Sequence, residues 1–137
     1  MTTATIAIVD DDGAFLEQMR ALLSAAGYLI DTFRSLESAY AALCADPPSA
    51  VVVGSRFSNG HHGVDLVTDL KLREATRALP VILTFSDARW LQAYEERRRG
   101  GNMPAIWMLS KPIDDAMMLQ ILAQALGQAS QFEREAS

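Results

Sequence analysis

The feature that most limits what this chain can fold into is a run in which nothing alternates. Thr5-Ile6-Ala7-Ile8-Val9 is apolar almost throughout. A strand with one wet face alternates polar and apolar residues, so a continuous run belongs to a strand covered on both faces. Ala50-Val51-Val52-Val53 has the same character and is the most β-branched stretch of the chain, as suits a buried strand. Helical spacing separates such runs. Phe15, Leu16, Met19, Leu22, Leu23 and Ala26 line one helix, which Gly27 closes. Residues 28–33 predict a second strand, and Ser35 caps a helix carrying Leu36, Ala39, Tyr40 and Leu43 that Asp46-Pro47-Pro48 stops. A polar loop over 55–63 leads to a helix with Val64, Leu66, Val67 and Leu70. Pro80 opens a fourth strand over 81–85, and Asp87 caps a helix through Trp90, Leu91 and Tyr94 that ends in Arg97-Arg98-Arg99-Gly100-Gly101. Residues 105–109 predict a fifth strand, and Met118, Ile121, Leu122 and Ala125 mark a last helix. Five strands alternating with five helices predict a doubly wound three-layer α/β/α sandwich around a five-stranded parallel sheet.

Composition narrows the function classes. The chain has 137 residues, so one domain is expected, over residues 1–127, with 128–137 a polar tail or the start of a linker to an effector domain. Cys44 is the single cysteine, which excludes a disulfide framework and any cysteine-based zinc site. No apolar run approaches the roughly 18 residues of a membrane span, and the start lacks the basic region of a secretory signal. A net charge of −5 argues against direct nucleic-acid or anionic-membrane binding. A cytoplasmic domain is the expectation.

Open parallel sheets place their chemistry outside the carboxyl ends of the strands, and the polar clusters fall there. Asp10 and Asp11 end the first strand, with Asp12 next. Adjacent carboxylates repel and need a cation, either a hard metal such as Mg²⁺ or a lysine. Lys111, directly after the fifth strand, is placed to be that cation. Thr84 ends the fourth strand and Ser55 follows the third. Asp12 also serves as a simple helix cap, and Thr84 as an ordinary strand residue.

Through Ile8-Val9-Asp10-Asp11-Asp12, Leu22-Leu23 with Gly27-Tyr28, residues 51–55 with Gly63 downstream, Leu79-Pro80-Val81-Ile82 and Lys111-Pro112, the chain resembles the receiver domain of bacterial two-component response regulators over residues 4–127. The resemblance implies a flavodoxin-like, CheY-like fold. It also implies an Mg²⁺-binding acid pair at Asp10 and Asp11, a phosphoacceptor aspartate ending the third strand, a hydroxyl ending the fourth, and a lysine at Lys111 that contacts the phosphoryl group. The acceptor of that family lies eight residues before the loop glycine. Counted back from Gly63, that position is Ser55, and no carboxylate lies between Asp46 and Asp65. Serine is a poor substitute: its hydroxyl needs an adjacent base, and Lys111 is cationic.

Other departures fall on the moving parts of the receiver switch. Asn59 stands where proline is usual, and Pro80 to the hydroxyl is one residue short, so Thr84 and Ser86 are both candidates for the switch position. Met108 with Trp107 beside it occupies the aromatic switch position, and residues 100–104 read as an inserted turn. The resulting expectation is a non-enzymatic, phosphorylation-independent phosphorelay-type module with Lys111 held by Asp10 and Asp11. No cofactor is required, and Mg²⁺ binds weakly. A protein partner or a second copy docks on the face of the fourth helix, fifth strand and fifth helix through Trp90, Tyr94, Trp107 and Met108. The alternatives are a receiver phosphorylated by unusual chemistry and a small haloacid-dehalogenase-like phosphatase with Asp10 as nucleophile, Asp12 as acid/base, and Thr84 and Lys111 in support. In that phosphatase the closing acids Asp114 and Asp115 come too soon after the lysine. His61-His62, on a loop expected to overhang Asp10 and Asp11, forms a further candidate metal site.

Overall fold

A computed structural model describes residues 3–99 and 106–136. The elements run β1 (Thr5–Val9), α1 (Gly13–Ala25), β2 (Leu29–Phe33), α2 (Leu36–Ala45), β3 (Ala50–Gly54), α3 (Gly63–Lys71), β4 (Val81–Phe85), α4 (Ala88–Arg99), β5 (Trp107–Ser110) and α5 (Asp115–Ala136). All strands are parallel, in the order β2-β1-β3-β4-β5. The predicted three-layer sandwich is the observed one.

The non-alternating runs are central, as their composition requires. Each described residue of β3 is buried, and Ile6, Ala7, Ile8 and Val9 of β1 are equally so. Period-2 alternation then divides them between two cores. Ala7, Val9, Val51, Val53, Val81 and Leu83 pack with α2 and α3 on one face. Ile6, Ile8, Val52 and Ile82 pack with Phe15, Leu16, Met19 and Leu23 of α1 and Met118 and Leu122 of α5 on the other.

The local signals act as read. Asp12 caps α1, its Oδ1 accepting the N–H of Ala14 at 3.0 Å. Ser35 caps α2 by accepting the Ser38 N–H, and Asp87 accepts the Arg89 N–H at 2.9 Å. Gly27 leaves α1 at φ +98°, a conformation that favours glycine.

Two strand boundaries differ from expectation. Strand β2 begins at Leu29 rather than at residue 28. Strand β5 runs from Trp107 to Ser110, while Ala105 and the predicted turn over 100–104 lie outside the described residues. The stretch after Gly127, by its sequence a polar tail or the start of a linker, continues α5 to Ala136. One glycine costs a helix only about 1 kcal/mol, too little to stop one whose earlier turns are anchored by packing.

Candidate functional site

The carboxyl ends of β1, β3, β4 and β5 gather the predicted residues at one edge of the sheet. Asp10 directly follows β1 and continues the face of Ile6 and Ile8; only 2% of it is exposed. Its Oδ1 accepts the Asp12 N–H at 2.9 Å, and its Oδ2 accepts from Lys111 Nζ at 2.8 Å. Lys111 lies one residue beyond β5, on the same face as Trp107 and Leu109. Its backbone N–H is fixed to the Phe85 carbonyl at 2.7 Å, and its ammonium sits 4.3 Å from the centroid of the Phe15 ring, a cation–π contact. The Lys111–Pro112 peptide is cis.

Asp11 departs from expectation. Its Oδ2 accepts the backbone N–H of Ser58 at 2.5 Å. That hydrogen bond holds the Asp11 carboxyl below its ordinary value of 3.8, with a lesser contribution from the Lys111 charge. The shared grip of Asp10 and Asp11 on Lys111 is therefore corrected: the ion pair is with Asp10, and Asp11 fastens the loop after β3.

That loop is not the uniformly polar segment its composition suggested. Phe57 is buried in the core beneath α2 and α3, the Phe57 N–H donates to the His61 carbonyl, and the Gly60 N–H donates to the Phe57 carbonyl. Arg56 forms an isolated bridge with His62. The loop does reach over the acid pair through Ser58, but its histidines face elsewhere. His61 lines an open groove of about 340 Å³ between α2 and α3 with Tyr40, Glu37 and Asp65, and His62 is the N-cap residue of α3 without a side-chain cap bond. Among the described residues no group of three or more His, Cys, Asp or Glu side chains gathers around a common point.

Ser55 is 95% buried at the end of β3. Its N–H donates to the Thr84 carbonyl at 2.8 Å, and its carbonyl accepts from Gly63 at 3.0 Å. Gly63 is required where it stands, because a Cβ there would lie 1.9 Å from the Gly54 carbonyl oxygen. Thr84 is fully buried, on the Ile82 face, and its hydroxyl reaches the Val53 carbonyl at 3.5 Å. Ser86 is exposed.

The predicted interaction face is divided by the sheet. Tyr94 is 2% exposed, on a helix that packs against β4, so it is a core residue and not an exposed anchor. Trp107 and Met108 are half-buried on opposite faces, Trp107 with the α1/α5 core and Met108 with the α2/α3 core; neighbouring strand residues cannot share a face. The side chain of Trp90 lies outside the described residues.

Four participants were not singled out from the sequence. By sequence Phe15 belongs to the core face of α1, and Ser58 to a polar loop. Arg34, following β2, donates to the Asp11 carbonyl at 3.2 Å. Gly54 ends β3, and a Cβ there would lie 2.7 Å from Asp10 Oδ2. No local pattern marks any of the four, because each acts on a residue remote in sequence.

An acid-ended first strand, a short-side-chain third and fourth strand end and a lysine after the fifth, on a sheet of this order, define a signalling receiver. The response regulator receiver domain family matches residues 6–123, and the chain belongs to that family. Solved structures agree on the fold. NtrX from Brucella abortus in complex with ADP is 24% identical with a TM-score of 0.81; the match covers 98% of this chain and 29% of that one, so this chain spans less than a third of NtrX. The signal receiver domain of an HD domain-containing protein from Pseudomonas fluorescens Pf-5 is 25% identical, with a TM-score of 0.81 and coverage of 98% and 95%. The chemotaxis protein CheY4 of Vibrio cholerae is 18% identical, with a TM-score of 0.78 and coverage of 90% and 99%. No curated protein matches the chain, and no helix among the described residues is long and apolar enough to cross a membrane.

Proposed function

We propose that this receiver domain is not switched by aspartyl phosphate and signals through protein–protein contacts, in the cytoplasm and without catalysis. The observation that carries the reading is the state of the strand ends: Ser55 stands at the acceptor position, and Lys111, the cation that answers to a phosphoryl group in the family, is already bonded to Asp10 at 2.8 Å. The Asp10 carboxylate is committed to Lys111 and the Asp12 N–H, which suits it poorly to serve as a general base for a serine hydroxyl.

The same commitments bear on Mg²⁺. Hard cations take carboxylate oxygens; here Asp10 is paired with an ammonium, Asp11 is tied to Ser58, and the third position is serine. These residues do not fit a firmly held divalent cation, and the reading requires none. The partner is a protein or a second copy of the domain. With Tyr94 in the core, the contacts on that side come from the remaining surface of α4, β5 and α5.

Intact mass and phosphate release after incubation with acetyl phosphate and Mg²⁺ test the reading. The native protein should take no adduct and release no phosphate, whereas a Ser55→Asp variant should gain a phosphoryl group. An adduct on the native chain would overturn the proposal in favour of a receiver with unusual chemistry. Catalytic phosphate release lost on Asp10→Asn would overturn it in favour of a phosphatase.

A further inference from the structure

Asp10 and Lys111 directly follow the outer members of four adjacent strands, β1 and β5, with β3 and β4 between them. Three inter-strand spacings of about 4.8 Å separate their backbones, and the two side chains meet across the sheet face that looks toward α1 and α5. Whatever occupies that face at the ends of β3 and β4 decides whether they can meet. The register pairs Val9 with Val53, Gly54 with Thr84 and Thr84 with Leu109, so Gly54 lies beside Asp10, and Thr84 lies between Gly54 and Leu109, two residues before Lys111 on the same face. Both continue the face of Val52 and Ile82.

At Gly54 the space is already taken. A Cβ would lie 2.7 Å from Asp10 Oδ2 and 3.2 Å from its Cγ, and real Cβ atoms essentially never approach a heavy atom within 3.0 Å. The oxygen in that space is the one that receives Lys111 Nζ. Its carboxylate has little freedom to swing aside, since Oδ1 is held by the Asp12 N–H and the residue is buried. Gly54 is not there for backbone freedom, because its φ is not in the left-handed region. It is there, physically, as a gap.

We infer that Gly54 is the positioning residue for the Asp10–Lys111 pair: the missing side chain at the end of β3 lets the Asp10 carboxylate lean over that strand and close on Lys111. This inference rests on the functional reading above and deepens it. The acid pocket is closed by the chain's own cation, and a glycine next to the serine at position 55 makes that closure possible. Any side chain at position 54 pushes Oδ2 away and releases Lys111 from Asp10.

Denaturant unfolding of the whole chain, read as the urea midpoint, tests this with a double-mutant cycle. Gly54→Ala should lower the midpoint, and in an Asp10→Ala background, where the carboxylate is gone, the same change should lower it by less than about half as much. An equal drop in both backgrounds would mean that the methyl collides with something else and would overturn the inference. Should Gly54→Ala alone fail to fold, the Asp10→Ala/Gly54→Ala protein must still fold as Asp10→Ala does; its failure would equally overturn the inference. Packing alone does not move the second readout. The ¹⁵N resonance of the Lys111 ammonium should shift toward that of a free lysine in Gly54→Ala, as it does in Asp10→Ala, and an unmoved resonance would count against the assignment. A phosphoryl adduct on the native chain would overturn the functional reading and leave this coupling standing. Additive unfolding losses would overturn the role of Gly54 and leave the argument from Ser55 standing.

Discussion

Two ion pairs stand at the same end of the sheet, and they differ in almost every respect. Lys111 meets Asp10 at 2.8 Å with side chains 25% and 3% exposed. Arg56 meets Asp87 at 3.4 Å with side chains 63% and 28% exposed. In the first, each oxygen of the carboxylate has a donor, the ammonium rests on Phe15, and the lysine backbone is pinned to β4. In the second, Asp87 divides itself between Arg56, the side chain of Arg89 at 3.7 Å and the N–H that begins α4. The difference teaches which charges belong to the fold. A buried carboxylate cannot be left alone, because water is not there to replace its partner; an exposed one loses a partner and gains solvent.

The sharpest way to break the comparison is to remove the lysine. Lys111→Met leaves Asp10 buried without a counter-charge, and the expected loss is about 3 kcal/mol, at the low end for a buried pair because Lys111 is partly wet. Neutralising both partners, Asp10→Asn with Lys111→Met, should recover more than half of that loss, since no isolated charge remains. Urea unfolding measures both. A double variant as unstable as the single one would mean that the pair matters through packing on Phe15 and not through charge.

Asp11 lies between the two extremes and sharpens the comparison through pH. The Ser58 N–H holds its carboxyl below 3.8 in the folded state, so the ionised form is favoured by folding. That contribution is fully present above pH 3.8 and is lost as pH falls through the lowered folded value. Asp11→Asn should therefore cost about 1 kcal/mol at pH 7, and the gap between variant and native should narrow on acidification below pH 3.8. Unfolding at pH 7 and at pH 3 checks it. An equal gap at both would show that Asn fails for lack of fit and not for lack of charge.

How much of this was legible depended on the range of the signal. The strands, helices and caps announce themselves within a few residues: the unbroken apolar run of Thr5–Val9, the helical spacing from Phe15 to Leu23, and Asp12 and Ser35 ahead of their helices. The strand-end residues Asp10, Ser55, Thr84 and Lys111 followed from the parallel topology, which brings the carboxyl ends together. Their partners did not follow. Whether Lys111 bonds one acid or two depends on where the loop after β3 comes to lie, since the Ser58 N–H takes Asp11 while Lys111 takes Asp10. The importance of Gly54 depends on what an atom it lacks would strike. Phe57 sits in a loop of polar neighbours yet folds back into the α2/α3 core, and aromatic residues at helical spacing, such as Tyr94, do not reveal from spacing alone which of them the sheet covers.

Arg56→Ala closes the comparison from its weak side. The arginine side chain is 63% exposed and its distance to Asp87 is 3.4 Å, so much of the attraction is screened by water, and ordering a long side chain costs entropy in return. Asp87 keeps its bond to the Arg89 N–H without Arg56, so the N-terminus of α4 remains capped. The expected loss is below about 0.5 kcal/mol, and it should shrink further between low salt and 1 M salt, where the Debye length falls to about 3 Å. Lys111→Met should keep most of its loss over the same salt range, because the Asp10 carboxylate is buried and buried charges are screened far less than exposed ones. Unfolding midpoints of both variants at the two ionic strengths would decide it. A salt-insensitive loss of more than about 1 kcal/mol for Arg56→Ala would show that the loop after β3 is held from Asp87 as firmly as from Asp11.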